Sequence, residues 1–382
     1  MTISVEEILT GLRETANLPI EKGKMLSARA YTSKEFFDLE QDLIFSKDWL
    51  CVGRVDQLPK RGDYLTSVVA NVPAYTINVG EGAFATFRNT CSHRGAVLLE
   101  GSGNASVIVC PYHAWSYVAS DGRLRGAPHM ERSTCFDRAA SQLPGMRTEV
   151  WEGWIYVTVN AEAQPVQQRL QALQGRLSNY SMADYRTIHS EDYVWNCNWK
   201  VLVDNFLDEY HPFWAHRNTF GELVKDDIAK IVTLPGDSNA WTLHFSPLPD
   251  ALADAARKVL PTLEEWQAHH VALFGVYPTH LVALIPGGPM FSLSLSPNGV
   301  ERVHVRYALS APPRLFEVGQ ETPEQLKEFF ARVNAEDKEI VEKVFRGLSA
   351  SWVPQGSLSH LEWSTWEFQQ YLLRRLGAGP AR

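Results

Sequence analysis

Two short loops that each carry one cysteine and one histidine constrain this chain more than any other feature. The first reads Cys91-Ser-His93, and the second, sixteen residues later, reads Cys110-Pro-Tyr-His113. Two thiolates and two imidazoles are the donors of a tetrahedral zinc site or of a [2Fe-2S] cluster. Zinc fingers usually pair their cysteines on one knuckle, whereas each loop here supplies one residue of each kind. This interleaving favours the cluster, both over zinc and over an accidental meeting of buried cysteines and core histidines.

The pattern of apolar residues changes along the chain. Between 43 and 160, short apolar runs alternate with turns such as 80–82 and 121–122, which predicts a small antiparallel β domain. Helical patterns follow from about 165, then strand-like runs at 271–311, and then two strong helices, the first opening with Thr322 and a proline. We therefore predict an α+β chain with a β domain at 43–160. A mixed domain would comprise 1–42 and 161–382.

Composition and charge argue against several classes of protein. The 382 residues are 45% hydrophobic and carry a net charge of −8 without a basic stripe, which excludes a disordered chain and disfavours nucleic acid as a partner. The N-terminus predicts an amphipathic helix and carries acidic residues where a secretory signal is positive, and no apolar run is long enough to span a membrane. Five cysteines are too sparse for a disulfide framework. We expect a two-domain cytoplasmic protein that binds no membrane and no nucleic acid.

A second candidate metal site lies about one hundred residues beyond the first. His211 and His216 are five residues apart, so their rings share a face only if the helix bends or ends, and Pro212 supplies that irregularity. Two imidazoles and one carboxylate form the facial triad of O2-activating Fe(II) enzymes. Taken alone, the pair is better explained by two ordinary, partly buried histidines, but the upstream loops reverse this preference and favour iron. The third ligand must then be an Asp or Glu that is distant in sequence.

These segments resemble the Rieske non-heme iron oxygenases, in particular the catalytic alpha subunits of the aromatic-ring-hydroxylating and choline/carnitine monooxygenase-like family. CSHRG followed by CPYHAWSYVASDGRL is similar to their Rieske signature. VDNFLDEYHPFWAH is similar to their pattern of an Asn, an acid three residues before the first His, and H-x4-H. The resemblance implies a small antiparallel β Rieske domain and a helix-grip catalytic domain, in which helices pack on an antiparallel sheet. It implies these roles: cluster ligands Cys91, His93, Cys110 and His113; iron ligands His211 and His216; a bridging acid, Asp208; and a further site residue, Asn205.

The third iron ligand follows from the same resemblance. The run EDKEIVEKVFRGL is similar to the family's C-terminal stretch in which the second acid binds iron, and this selects Asp337. We assign its acidic neighbours to a solvated helix face: Glu336, Glu339 and Glu342. Two positions depart from the pattern, because Phe345 stands where relatives often have Gln and Asp208 stands where the choline- and carnitine-type oxygenases often have Glu.

The resemblance also implies an activity and its partners. Mononuclear Fe(II) would activate O2, with electrons passed by the Rieske [2Fe-2S] cluster from a separate NAD(P)H-dependent reductase. The relay would run between subunits of a homotrimer, with Asp208 accepting hydrogen bonds from His211 of its own chain and from the partner subunit's His113. The substrate would be a small organic molecule, aromatic or N-methylated, that is hydroxylated or oxidatively demethylated.

Several questions stay open at the level of sequence. Monohydroxylation, dihydroxylation and demethylation are not distinguished. Two other classes remain as alternatives: an electron-transfer or metal-binding protein that uses only the first motif, and a structural zinc domain. Eight aromatic residues near the second site are candidates for a substrate pocket, although most will be core: Trp195, Phe206, Tyr210, Phe213, Trp214, Phe220, Tyr277 and Phe291.

Overall fold

The computed structural model describes residues 4–222, 231–318, 321–350 and 352–377. The chain folds into two compact units, a smaller one, Phe45–Val166, and a larger one, Met1–Ile44 with Gln167–Arg382. The domain limits proposed from the sequence, 43 and 160, stay a proposal. Among the described residues, no helix is both long enough and apolar enough to cross a membrane.

The smaller unit consists of antiparallel strands, as its short apolar runs predict. The strands are β1 (Leu50–Arg54), β2 (Asp63–Val69), β3 (Val72–Gly80), β4 (Ala83–Arg88), β5 (Ser102–Asn104), β6 (Val107–Val109), β7 (Ser116–Val118), β8 (Leu124–Gly126), β9 (Gly145–Trp151) and β10 (Trp154–Thr158). A seven-stranded sheet has the order β1-β10-β9-β4-β3-β2-β5, and a three-stranded sheet has the order β6-β7-β8. The two cysteine-containing loops lie between β4 and β5 and between β6 and β7.

Tight turns set the register of this unit. The two-residue turns Ala70-Asn71, Glu81-Gly82 and Glu152-Gly153 join consecutive strands, and all six residues have positive φ. Such turns match the right-handed twist of the strands they connect. The predicted turn at 121–122 also forms: Gly122 has φ +71, and a Cβ there would lie 2.8 Å from the carbonyl oxygen of Leu143. Only glycine fits that position without strain.

The larger unit is a helix-covered antiparallel sheet. Its strands are β11 (Arg186–Trp195), β12 (Val232–Asp237), β13 (Trp241–Pro247), β14 (His270–Val276), β15 (His280–Leu284), β16 (Met290–Pro297) and β17 (Val303–Ala311). Within the described ranges they form one sheet of order β11-β17-β16-β15-β14-β13-β12. Every residue of β13 and β15 is buried, which indicates that both faces of the sheet centre are covered.

Most of the described helices are short, and the two longest come last in the sequence. They are α1 (Val5–Ala16), α2 (Ala28–Thr32), α3 (Lys34–Glu40), α4 (Val166–Arg169), α5 (Gln171–Leu177), α6 (Trp199–Leu207), α7 (Pro212–Ala215), α8 (Ala253–Val259), α9 (Glu265–Ala268), α10 (Pro313–Glu317), α11 (Pro323–Leu348) and α12 (Trp363–Leu376). The predicted start of α11 is confirmed, since the Thr322 side chain accepts a hydrogen bond from the Gln325 amide and a proline occupies the first turn. The amphipathic N-terminal helix is confirmed over Val5–Ala16.

Helix α6 lies at the centre of the larger unit. It packs against β14 and β16 on the sheet side and against α11 and α12 on the other. Its Lys200 is fully buried and meets the carboxylate of Glu40 on α3 at 2.5 Å, while the Trp199 indole donates to the same carboxylate at 2.8 Å. This anchored helix ends at Leu207, immediately before the segment that carries the second histidine pair. The predicted α+β class, with helices gripping an antiparallel sheet, is confirmed.

Candidate metal centres

The two cysteine-containing loops share one backbone conformation. In each loop the cysteine N–H donates to the carbonyl five residues ahead, and the N–H four residues ahead donates back to the cysteine carbonyl. The bonds are Cys91 N to Ala96 O (2.8 Å), Gly95 N to Cys91 O (2.9 Å), Cys110 N to Trp115 O (2.7 Å) and Ala114 N to Cys110 O (3.1 Å). Gly95 and Ala114 both have positive φ, which reverses the chain after each histidine. The chain thus builds two matching knuckles.

The cysteines and the histidines of the two knuckles differ in burial. Cys91 and Cys110 are each only 3% exposed and belong to the core of the smaller unit, whereas His93 and His113 are exposed. The two imidazole rings lie together, with centroids 4.8 Å apart. Sulfurs at the buried end and imidazoles at the exposed end suit a cluster in which one iron takes both cysteines and the other takes both histidines. The residues present therefore fit a Rieske [2Fe-2S] cluster.

A tyrosine supports the first cysteine. The Tyr117 hydroxyl lies 3.2 Å from Cys91 Sγ and accepts a hydrogen bond from the Ser92 amide at 3.1 Å. Because that amide supplies a donor to the oxygen, the hydroxyl hydrogen is free to point at the sulfur. Hydrogen bonds to cluster sulfurs are among the factors that set reduction potential. Tyr117 was not predicted from the sequence, although its place on the strand after the second loop was a usable signal.

The second histidine pair flanks a break in the helical segment. Helix α6 ends at Leu207, Asp208 has an extended backbone, and Pro212 opens α7, so that His211 precedes and His216 follows this one-turn helix. The prediction that the helix bends or ends near the proline is confirmed. The two imidazole rings consequently face each other, with centroids 5.3 Å apart.

Helix α11 brings a carboxylate to the histidine pair. Asp337 Oδ1 lies 3.5 Å from His211 Nε2 and 3.2 Å from His216 Nε2. The three donor atoms lie within 4.8 Å of one another. This set of two imidazoles and one carboxylate is the donor set of the facial triad. The structure thus brings together the residues predicted as iron ligands.

Three neighbouring side chains support the triad. The Asn205 amide donates to Asp337 Oδ1 at 2.9 Å, and Asp208 Oδ2 lies 3.4 Å from His211 Nδ1. Glu336 Oε2 accepts hydrogen bonds from His216 Nδ1 (2.9 Å) and from Thr219 (2.7 Å). A carboxylate on the second nitrogen of a metal-binding histidine fixes the tautomer and orients the ring. The assignment of Glu336 to a solvated helix face was therefore wrong.

The other two acids of that helix differ from Glu336. Glu339 is exposed and pairs with Lys343, as expected of a solvated face. Glu342 accepts a hydrogen bond from the Asn196 backbone amide at 2.9 Å and from its side chain at 3.3 Å. It therefore ties α11 to the segment before α6 rather than lying free in solvent.

The triad has a strongly negative environment. Burial lowers the pKa of His211, but contacts with Asp208 and Asp337 outweigh it and raise that pKa to about 10. Burial likewise opposes ionisation of Asp337, yet the two histidines hold its pKa well below the usual range. A positive charge between the three donor atoms is therefore electrostatically favoured. A divalent metal ion can supply that charge, so the residues present fit a mononuclear iron.

A cavity that is open to solvent adjoins the triad. Asn205, Asp208 and the three triad residues are among its lining residues, and most of the remaining wall is apolar. Of the eight aromatic candidates, Phe206, Phe220 and Phe291 line it. The other five do not line it: Trp195 and Tyr277 are buried in the core, as was expected of most of the eight, Phe213 is half-buried, and Tyr210 and Trp214 are exposed.

The main polar feature of the apolar wall was also missed in the sequence. Glu209 is 4% exposed, and its carboxylate accepts hydrogen bonds from His244 Nε2 at 2.7 Å and from the Ser246 hydroxyl at 2.5 Å. Burial acts to raise the pKa of Glu209, but its partners, His244 first, outweigh this and lower it. His244 and Ser246 lie on β13, and only the folded sheet brings them to Glu209. Nothing local in the sequence signals this contact.

Comparison with known proteins agrees with both centres. The model of the ring hydroxylating alpha subunit (catalytic domain) matches residues 182–378, and that of the Rieske [2Fe-2S] domain matches residues 48–141. The chain therefore belongs to the ring-hydroxylating alpha subunit family and is a Rieske non-heme iron oxygenase. Its cofactors are a Rieske [2Fe-2S] cluster and a mononuclear iron. Such oxygenases act on small substrates with electrons from a separate reductase.

The similar proteins are named for two kinds of substrate. The carnitine monooxygenase oxygenase subunit of Acinetobacter pittii is 28% identical over 324 residues, which is 84% of each chain. A quaternary ammonium Rieske monooxygenase structure, described as giving insight into carnitine oxidation and inter-subunit electron transfer, has a TM-score of 0.78 at 25% identity and covers 96% of this chain and 97% of its own. Naphthalene 1,2-dioxygenase from Rhodococcus sp. shares the fold, with a TM-score of 0.81 at 18% identity over 99% and 100% of the two chains.

Proposed function

We propose that this oxygenase hydroxylates or oxidatively demethylates a small organic molecule, aromatic or N-methylated, bound in the cavity beside His211, His216 and Asp337. The cavity is the observation that carries the proposal, because the three triad residues are among the residues that line an otherwise largely apolar space. A concave, apolar pocket with a few convergent polar groups is typical of small-molecule sites. Relatives named for carnitine and naphthalene support the two substrate classes.

Each metal site has a set of residues suited to hold it. We assign the cluster to Cys91, His93, Cys110 and His113, and the mononuclear iron to His211, His216 and Asp337. When bound, the iron supplies the centre that reacts with O2, and the cluster supplies electrons one at a time. Among supporting residues, Asn205 orients the Asp337 carboxylate and Glu336 orients the His216 ring.

Asp208 is assigned as the bridge for electron transfer. Its carboxylate lies 3.4 Å from His211 Nδ1, and it is partly exposed, so that one face is available to another molecule. We infer that it also accepts a hydrogen bond from the partner subunit's His113 in a homotrimer. A relative described in terms of inter-subunit electron transfer supports this arrangement. We further propose that the reductase oxidises NAD(P)H and that the protein is cytoplasmic.

The bridge is tested by Asp208→Asn, which keeps the shape of the side chain but removes its charge and one strong acceptor. Metal content should match wild type, while reoxidation of the pre-reduced cluster by O2 and substrate should slow by orders of magnitude in a stopped-flow measurement. Reoxidation at the wild-type rate would show that Asp208 is not the bridge.

The oxygenase reaction is tested with a purified generic reductase, NADH and a panel of aromatic and quaternary ammonium compounds. We expect compounds that accelerate NADH consumption to yield products carrying oxygen from labelled O2. His211→Ala is the matched control, since it should keep a reducible cluster but lose product formation. Product formation that survives in His211→Ala would overturn the assignment of the reaction to the triad.

A further inference from the structure

Glu209 places a buried carboxylate in the wall of the substrate cavity. Taking the proposed function as given, we propose that Glu209 selects a substrate that carries a cationic ammonium group. The residue lines the cavity although it is 4% exposed, and the surrounding wall is formed largely by phenylalanine and aliphatic side chains. A carboxylate in such a setting is costly unless a cation or several donors balance it.

The hydrogen bonds of Glu209 fix its orientation. Oε1 accepts from His244 Nε2 at 2.7 Å, Oε2 accepts from the Ser246 hydroxyl at 2.5 Å, and the Glu209 amide donates to the Leu361 carbonyl at 3.2 Å. Two donors from the same strand therefore clamp the carboxylate in one place. An ionised carboxylate offers about four acceptor positions, so these two bonds leave part of its acceptor capacity unused.

Acidic residues outnumber lysine and arginine around the cavity. Its lining includes Asp208, Glu209 and Asp337, and no lysine or arginine is among the lining residues in the described part of the chain. A cationic group that enters the cavity would therefore meet acidic side chains and no lysine or arginine.

The rest of the wall suits an alkylated ammonium group. Phe206, Phe220 and Phe291 present aromatic rings, and Leu248 and Leu273 add aliphatic surface. Methyl groups on nitrogen gain from burial against such surfaces, while the charge is attracted both to aromatic faces and to a nearby carboxylate. A neutral molecule of the same shape would have the apolar contacts but would not balance Glu209.

The test compares a cation with its neutral isostere. Choline and 3,3-dimethylbutan-1-ol have nearly the same shape and differ by the charge on one atom. Their dissociation constants are measured by calorimetry on the anaerobic holoenzyme, without turnover. We expect wild type to bind choline about tenfold or more tightly than the alcohol, because only the cation balances the carboxylate. Equal binding of the two, tighter binding of the alcohol, or no binding of choline would overturn the proposal.

Two variants test whether Glu209 causes the preference for choline over the alcohol. Glu209→Gln keeps the size of the side chain and should bring the two dissociation constants close together, whereas Ser246→Ala keeps the charge and should retain the preference for choline. A Glu209→Gln protein that still prefers choline would assign the selection to another residue. If Glu209→Gln does not fold, the wild-type comparison decides alone. Failure here leaves the oxygenase assignment intact, because that rests on product formation and not on this binding difference.

Discussion

Removal of the Asn205 side-chain amide should weaken iron binding without affecting the cluster. The amide donates a 2.9 Å hydrogen bond to Asp337 Oδ1, the same oxygen that faces both histidines. A hydrogen bond to a charged group contributes about 1.5–3 kcal/mol. Because about 1.4 kcal/mol corresponds to a factor of ten, loss of this bond in Asn205→Ala should lower Fe(II) affinity about 10–100-fold, the usual range for partners of metal ligands.

The measurement is an anaerobic competition titration of Fe(II) against a chelator, with the visible absorption of the cluster recorded on the same samples. Asn239→Ala is a matched control, since Asn239 is exposed and its amide bonds only the nearby Asp237 in the contacts that the structure describes. The control should match wild type in both readings. An Asn205→Ala protein whose iron affinity lies within about threefold of wild type would refute the view that this amide orients the iron carboxylate.

Three further predictions concern stability and potential. Lys200→Met should leave the buried Glu40 carboxylate without its cation, which should cost about 3–5 kcal/mol of stability and lower the melting temperature. The double variant Lys200→Met/Glu40→Leu should recover much of the loss, and a double variant no more stable than the single would contradict this. Burial raises the pKa of Asp204 from 3.8 to about 7, so the stability that its protonated form contributes is present below about pH 4 and is lost as the pH rises to about 7. Asp204→Asn should flatten the dependence of melting temperature on pH, and an unchanged slope would contradict this prediction. Tyr117→Phe should lower the midpoint potential of the cluster in a redox titration, because a donor to Cys91 Sγ is lost, and an unchanged potential would exclude that bond.

The residues proposed as metal ligands could be predicted from the sequence for two different reasons. The residues of each cysteine-containing loop are two or three positions apart, so local spacing alone signals a metal site. His211 and His216 are likewise close in sequence, and the proline between them indicated the break in the helix. Asp337 lies more than one hundred residues further on, and only the resemblance to a family distinguished it from the acids beside it.

Contacts between distant elements could not be predicted. Glu336 was interpreted as a surface residue because its position on α11 gives no sign that His216 will lie against it. Glu209 meets His244 because α6 ends over the sheet near β13, and the bond from His244 to Ser364 needs α12 to pack there as well. Each contact depends on the assembled larger unit. Amphipathic patterns predict which face of a helix is buried, but they do not specify its partner.

We assign to one chain a two-iron cluster in its smaller unit and a single iron at His211, His216 and Asp337 in its larger unit. The most direct test is the iron and acid-labile sulfide content per chain of anaerobically purified, iron-loaded wild type and Asp337→Ala. We expect three irons and two sulfides in wild type, and two irons with two sulfides and an unchanged Rieske absorption in the variant. Two irons in wild type, or a third iron that persists in Asp337→Ala, would contradict the account.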